Sequence, residues 1–164
     1  MARRVFFSFH YERDIFRVSQ VRMSGVTKGG YEESGFIDHP DWEKIERAGH
    51  AAIKRWIDTQ MQGASVLAVL IGAETAGRPW VNYEIERARA LSLGLLGVRI
   101  HNCRDPRTGN TDYAGANPFD GFRIGEGLWA RPLSTIVPIY DWVNDRGYAN
   151  FGSWVEAAAK AAGR

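Results

Sequence analysis

Two stretches of the chain are apolar at odd and even positions alike: Val5-Phe6-Phe7-Ser8-Phe9 and Ser65-Val66-Leu67-Ala68-Val69-Leu70-Ile71. Such runs read as strands covered on both faces, as in the middle of a parallel sheet. Leu95 to Ile100 reads as a further strand. Thr135 to Tyr140 reads as a last one, held to a sheet edge by Pro138, which cannot donate to a ladder. Between them the apolar spacing turns helical. Tyr11 to Arg22 carries Ile15, Val18 and Val21 one turn apart. From Asp41 onward come Ile45, Ala48, Ala52, Ile53, Trp56, Ile57 and Met61, with Asp41 as cap, Gly49 as a dividing point and Gly63 as a stop. Pro79 suits a first helical position, and that helix runs to about Ser92. Phe151 to Ala162 forms the last helix. Met23 to Pro40 is rich in Gly and Ser, with a short strand expected near Gly35-Phe36-Ile37. Asn102 to Ser134 reads as a long loop, often a sign of function.

Strands alternating with helices predict an α/β fold, one domain over residues 1–164 with a five-stranded parallel sheet and helices on both faces. The expected strand order is flavodoxin-like, 2-1-3-4-5. Ligands of such sheets bind beyond the carboxyl ends of the strands, where the winding reverses. Here that point lies between the first and third strands. Ser8, Phe9, His10 and Tyr11 leave the first strand there, and Gly72 to Arg78 lead from the third into the helix that follows.

That helix carries one residue out of place. At about 100° per residue, Trp80, Val81, Ile85, Ala88 and Leu91 form one apolar stripe, while Asn82, Glu86 and Arg89 face away. Glu84 falls inside the stripe. A buried carboxylate is costly unless paired or hydrogen-bonded, so Glu84 is a structural ion pair, a stripe-edge group whose carboxylate reaches water, or a functional group. Its place in the first turns leans its side chain toward the strand ends, where the crevice is expected.

Composition narrows the classes. The chain has 164 residues, 21 Lys plus Arg, 19 Asp plus Glu and a net charge of +2. That balance, spread along the chain, leaves no basic face for nucleic acid. A single cysteine, Cys103, allows no internal disulfide and suits a reducing compartment. No window approaches the ~20 apolar residues of a membrane span, and the start lacks the apolar core of a signal peptide. The expectation is a cytoplasmic protein. His101 and Cys103 are too few for a metal site, and no glycine-rich phosphate or dinucleotide motif occurs. Asn117-Pro118-Phe119 reads as a turn that anchors the long loop, with a part in a lid over the crevice as the alternative.

Trp80-Val81-Asn82-Tyr83-Glu84-Ile85 resembles the Trp-x-x-x-Glu element of catalytic TIR domains. Val5-Phe6-Phe7-Ser8-Phe9-His10-Tyr11, Gly35-Phe36-Ile37-Asp38, Ile53-Lys54-Arg55-Trp56-Ile57-Asp58, Val69-Leu70-Ile71-Gly72, Leu95 to His101 and Asn117-Pro118-Phe119 follow in the order of the TIR-like proteins of bacterial Thoeris antiphage systems. The chain departs from that pattern at Met23-Ser24-Gly25. The resemblance implies a TIR fold and conversion of NAD into nicotinamide and a cyclic ADP-ribose isomer that activates a separate effector protein. NAD is then the substrate, with no further cofactor and no metal. Glu84 matches the catalytic glutamate, and Ser8, Phe9, His10, Tyr11, Asp38 and Trp80 are the candidates for holding substrate. A response-regulator receiver shares the fold but needs acidic residues where this chain has Phe9-His10 and Gly72. The Trp-x-x-x-Glu placement also favours TIR over a nucleoside deoxyribosyltransferase. The competing reading is a TIR-like interaction module without catalysis, its crevice used for assembly with a partner. The sequence leaves homo-oligomerisation open.

Overall fold

The computed structural model describes residues 2–28, 31–34 and 39–164. In chain order the elements are β1 (Arg3–Ser8), α1 (Tyr11–Lys28), β2 (Tyr31–Ser34), α2 (His39–Arg47), α3 (His50–Met61), β3 (Val66–Ile71), α4 (Pro79–Ala90) and β4 (Gly94–Arg99). They continue with β5 (Arg123–Ile124), β6 (Arg131–Pro132), β7 (Ile139–Asp141) and α5 (Gly147–Ala161). Five strands form one sheet in the order β2-β1-β3-β4-β7, every pair parallel. This is the flavodoxin-like winding the alternation predicts, with β7 in the fifth place. The two-residue strands β5 and β6 form a separate antiparallel ribbon.

The double apolar parity of β1 and β3 has a direct physical outcome. Val5, Phe7, Val66, Ala68 and Leu70 pack on one face, against Val18 and Val21 of α1 and Phe151 and Val155 of α5. Phe6, Leu67, Val69 and Ile71 pack on the other, against Ile53 and Ile57 of α3 and Val81, Ile85 and Ala88 of α4. Each of the larger of these side chains, taken fully from water, contributes about 1.5–3 kcal/mol, and the alanines less. Gly94 opens β4 because α5 crosses it closely: a Cβ there would sit 2.4 Å from the Ala158 carbonyl oxygen.

The segment after α1 differs from the expected loop. The helix continues past Arg22 to Lys28, because side chains secure its last turns. Ser24 Oγ donates to the Val21 carbonyl at 2.6 Å and Tyr31 Oη donates to the same oxygen at 3.2 Å. Gly25 belongs to the helix, and a Cβ there would lie 2.5 Å from the Tyr31 hydroxyl. The second strand is Tyr31–Ser34, paired with β1 from Arg3↔Tyr31 to Phe6↔Ser34. The strand expected at Gly35-Phe36-Ile37 lies outside the described residues.

The last strand is shorter than Thr135 to Tyr140. Leu133–Thr135 forms a 3₁₀ turn, and pairing with β4 begins at Ile139, just past Pro138. The 102–134 stretch is tied down rather than loose. Arg13 binds Asp112 at 3.0 Å, and Arg17 donates to the carbonyls of Cys103 and Asn110 at 3.0 and 3.1 Å. Asn117 Oδ1 accepts from the Phe119 backbone N–H at 2.9 Å, and the Phe119 ring is fully buried. Among the described residues no helix is long and apolar enough to cross a membrane.

Candidate active site

α4 begins at Pro79, whose fixed φ suits a first turn. Its buried face comprises Val81, Glu84, Ile85 and Ala88, so the carboxylate does lie within the apolar stripe. Glu84 is only 9% exposed, and what remains accessible opens on a cleft of about 670 Å³. Burial pushes its carboxyl up from 4.5 to about 8, because an ionised group there has lost its water. Ser8, at the end of β1, is the neighbour that opposes the shift. Its hydroxyl is buried and among the described residues meets no partner at full hydrogen-bond geometry.

The cleft lies beyond the carboxyl ends of β1 and β3, as the winding predicts, and aromatic rings wall it. Phe9 stacks on Tyr11 with centroids 5.8 Å apart, and Tyr11 stacks on Trp42 at 5.9 Å. Trp42 meets Trp56 edge-on at 6.2 Å. Along α4, Trp80 contacts His50 edge-on at 5.4 Å and Tyr83 at 6.0 Å. Tyr83 is held by its hydroxyl, which donates to Asp58 at 2.8 Å. Lys54 Nζ lies 5.5 Å from the centre of the Tyr83 ring. His10 titrates below its usual 6.5, first because it is partly buried and then because Arg78 is close, so it is neutral at pH 7. Glu12, Glu46 and Glu86 add acid to the lining, and Lys54 and Arg78 add base.

Of the residues singled out in the sequence, the structure brings Phe9, His10, Tyr11, Trp80 and Glu84 together around this cleft. Ser8 is fully buried and does not line it; it reaches the site only through Glu84. Asp38 lies outside the described residues. No residue of 102–134 lines the cleft; residues 116–118 and 120–122 help line a second groove of about 490 Å³ instead. Cys103 is buried in the core with α1 and α5.

The sequence model of the family described as "Thoeris protein ThsB, TIR-like domain" matches residues 6–105, more than half of the chain. The chain belongs to this family. A protein of Bacillus cereus (strain MSX-D12), named "Putative cyclic ADP-D-ribose synthase ThsB1", is 34% identical over 192 residues, covering 94% of this chain and all of that protein. Every residue lining the main cleft falls between Phe7 and Glu86, inside the stretch that the family model matches. The second groove and the β5–β6 ribbon draw mostly on residues beyond it.

Trp42, His50, Lys54 and Trp56 are cleft residues that sequence reasoning missed. The helical period placed Trp56 on a core stripe, and the stripe does face inward. Its ring, however, sits at the edge of that core, where α2 and α3 lean over the strand ends. Aromatic clustering within residues 42–56, beside the expected crevice, is the signal that would have found them.

Such an arrangement is suited to one kind of chemistry. Flat rings can be held against aromatic faces, hydroxyls can be held by Glu84, and positive charge developing beside Glu84 would meet a carboxylate shielded from water.

Proposed function

We propose that this TIR-like protein cleaves NAD at the nicotinamide–ribose bond and closes the remainder into a cyclic ADP-ribose isomer, a diffusible signal for a separate effector protein. The observation that carries the reading is Glu84: a carboxyl buried to nine-tenths, with no counter-charge among the described residues, lining an aromatic-walled cleft. The printed name of the Bacillus relative supports the same chemistry.

Nicotinamide leaves as a neutral molecule, taking the electron pair of the C–N bond, so it needs no general acid. Positive charge builds on the ribose, as in other glycosyl transfers. The ionised Glu84 stabilises that charge and holds ribose hydroxyls. The positive pyridinium of bound NAD favours the ionised form, since an opposite charge nearby lowers a carboxyl pKa. A nucleophile at the adenosine end then bonds to the ribose carbon that nicotinamide has left, in place of water, and one proton is released as the ring closes. The wall formed by Phe9, Tyr11, Trp42 and Trp80 keeps water out and holds the two flat ends of the substrate. NAD is the substrate, and no further cofactor is invoked.

The test is incubation of the purified protein with NAD, with chromatography for nicotinamide and mass spectrometry of the other product. The cyclic isomer lacks one water relative to linear ADP-ribose. Glu84→Gln, which keeps size and removes charge, is expected to fold and to lose about 10²–10³ in turnover. Linear ADP-ribose as the sole product would remove the signalling half of the proposal. Equal turnover by Glu84→Gln would remove Glu84 from the chemistry. If neither NAD nor lysate from phage-infected cells elicits any nicotinamide release from the wild type, the interaction-module reading stands.

A further inference from the structure

The ribbon between β5 and β6 carries an apolar tip that the fold does not use. Leu128 is fully exposed and Trp129 is 86% exposed. Large apolar groups this bare, side by side, mark contact sites on soluble proteins. The tip is also held firmly. Trp129 N–H donates to the Glu126 carbonyl at 3.1 Å and Ala130 N–H to the Gly127 carbonyl at 3.2 Å. Arg123 donates across the ribbon to the Ala130 carbonyl at 2.8 Å, and Arg89 of α4 donates to the Arg123 carbonyl at 3.0 Å. Gly125, at φ 78°, lets the chain turn where a Cβ would meet the Trp129 carbonyl oxygen at 2.8 Å. A tip ordered in advance loses little freedom when it docks.

The receiving surface lies next to it. The second groove is lined on its apolar side by Ala76, Ala116, Pro118 and Phe122. Phe122 directly precedes β5, so groove and tip lie side by side in the chain. Their charges are opposite. The exposed Arg123 and Arg131 flank the tip, against one acid, Glu126. The groove's described lining holds Glu86 and Asp120 and no lysine or arginine. A knob and an oppositely charged socket carried by one chain can each be used twice around a two-fold axis, the isologous arrangement of most homodimers.

We infer that a second copy of this chain docks here, the Leu128–Trp129 tip of each protomer seating in the groove of the other. A buried tryptophan contributes about 150–250 Å², so two tips supply the apolar centre of an interface whose rim is the Arg–acid contacts. The dimer is at the weak end of the scale, with dissociation constants of roughly 10–100 µM. Asn82 and Glu86 line both this groove and the main cleft, so the two surfaces share a wall.

Sedimentation velocity over a concentration series tests the inference, with circular dichroism to confirm that each variant is folded. The wild type is expected to show a monomer–dimer equilibrium that weakens with salt. Trp129→Ala, which removes the knob, is expected to raise the dissociation constant at least about 30-fold, as for an interface hot spot. Ala116→Trp, which fills the socket, is expected to do the same while leaving the tip intact. Mixed together, the two variants are expected to associate more tightly than either alone, because one intact knob–socket joint is regained. A wild type that stays monomeric throughout, or variants that dimerise as it does, would overturn the inference. So would a mixture that associates no better than its parts.

Discussion

Replacing Glu84 by Gln tests the buried carboxylate through stability, independently of any reaction. Its folded pKa of about 8 stands about 3.5 units above the ordinary 4.5. A raised folded value means that the native state holds a proton the unfolded chain has already released. The favourable contribution is complete below about pH 4.5 and is lost as pH rises toward 8. At about 1.36 kcal/mol per unit, the loss is about 3 kcal/mol at pH 7 and levels near 5 kcal/mol above pH 8. Gln does not titrate, so the variant escapes this loss. Asp14 is buried too, its carboxyl raised to about 6 by desolvation, but it is present in both proteins and drops out of the difference. Urea unfolding of wild type and Glu84→Gln at intervals from about pH 5 to pH 9 measures the effect. The curves are expected to lie close together at the acid end and to diverge by several kcal/mol at the alkaline end, with Glu84→Gln the more stable. Curves that stay parallel across the range would refute the account of Glu84 as a desolvated, uncompensated carboxyl.

Three further outcomes follow from the same structure. If the ionised Glu84 is the working form, kcat/KM for NAD, which reports the free enzyme, is expected to rise with pH and level above about 8; a flat profile across that range would contradict it. Gly94→Ala drives a Cβ against the Ala158 carbonyl of α5, and a loss of about 1–3 kcal/mol in denaturant unfolding is expected. The Cys103 thiol is buried and pushed up to about 12, first by desolvation and then by the charge of Asp141, so a thiol reagent at pH 8 is expected to modify it only after unfolding.

The central strands, and with them the place of α4, were legible because burial on both sheet faces demands apolar residues at every position. Glu84 was legible for the opposite reason: it breaks the stripe of α4. Where other forces decide, the pattern was silent. β2 is Tyr-Glu-Glu-Ser, an edge strand kept in place by its ladder to β1 and by Arg22 bound to Glu33 at 2.6 Å; nothing in its polarity announces a strand. The end of α1 was placed too early because Met23 to Pro40 is rich in Gly and Ser, whereas Gly25 lies within the helix, where a Cβ would meet the Tyr31 hydroxyl. The aromatic wall combines residues from the turn after β1 and from α1, α2, α3 and α4. Period alone says which face of a helix turns inward; it does not say which inward residue sits at the rim of a cleft.

The aromatic wall also gives the molecule an optical character. Of its six tryptophans, Trp42, Trp56 and Trp80 line the main cleft, Trp142 and Trp154 pack with α5 on the opposite side of the sheet, and Trp129 stands in solvent. Indole emission depends on local polarity and is quenched by a flat ring laid against it. The intrinsic fluorescence therefore divides into a cleft signal, a scaffold signal and a tip signal. Occupancy of the cleft, integrity of the α5 layer and docking of the ribbon each act on a different set of fluorophores, so the unlabelled protein carries a separate reporter for each event.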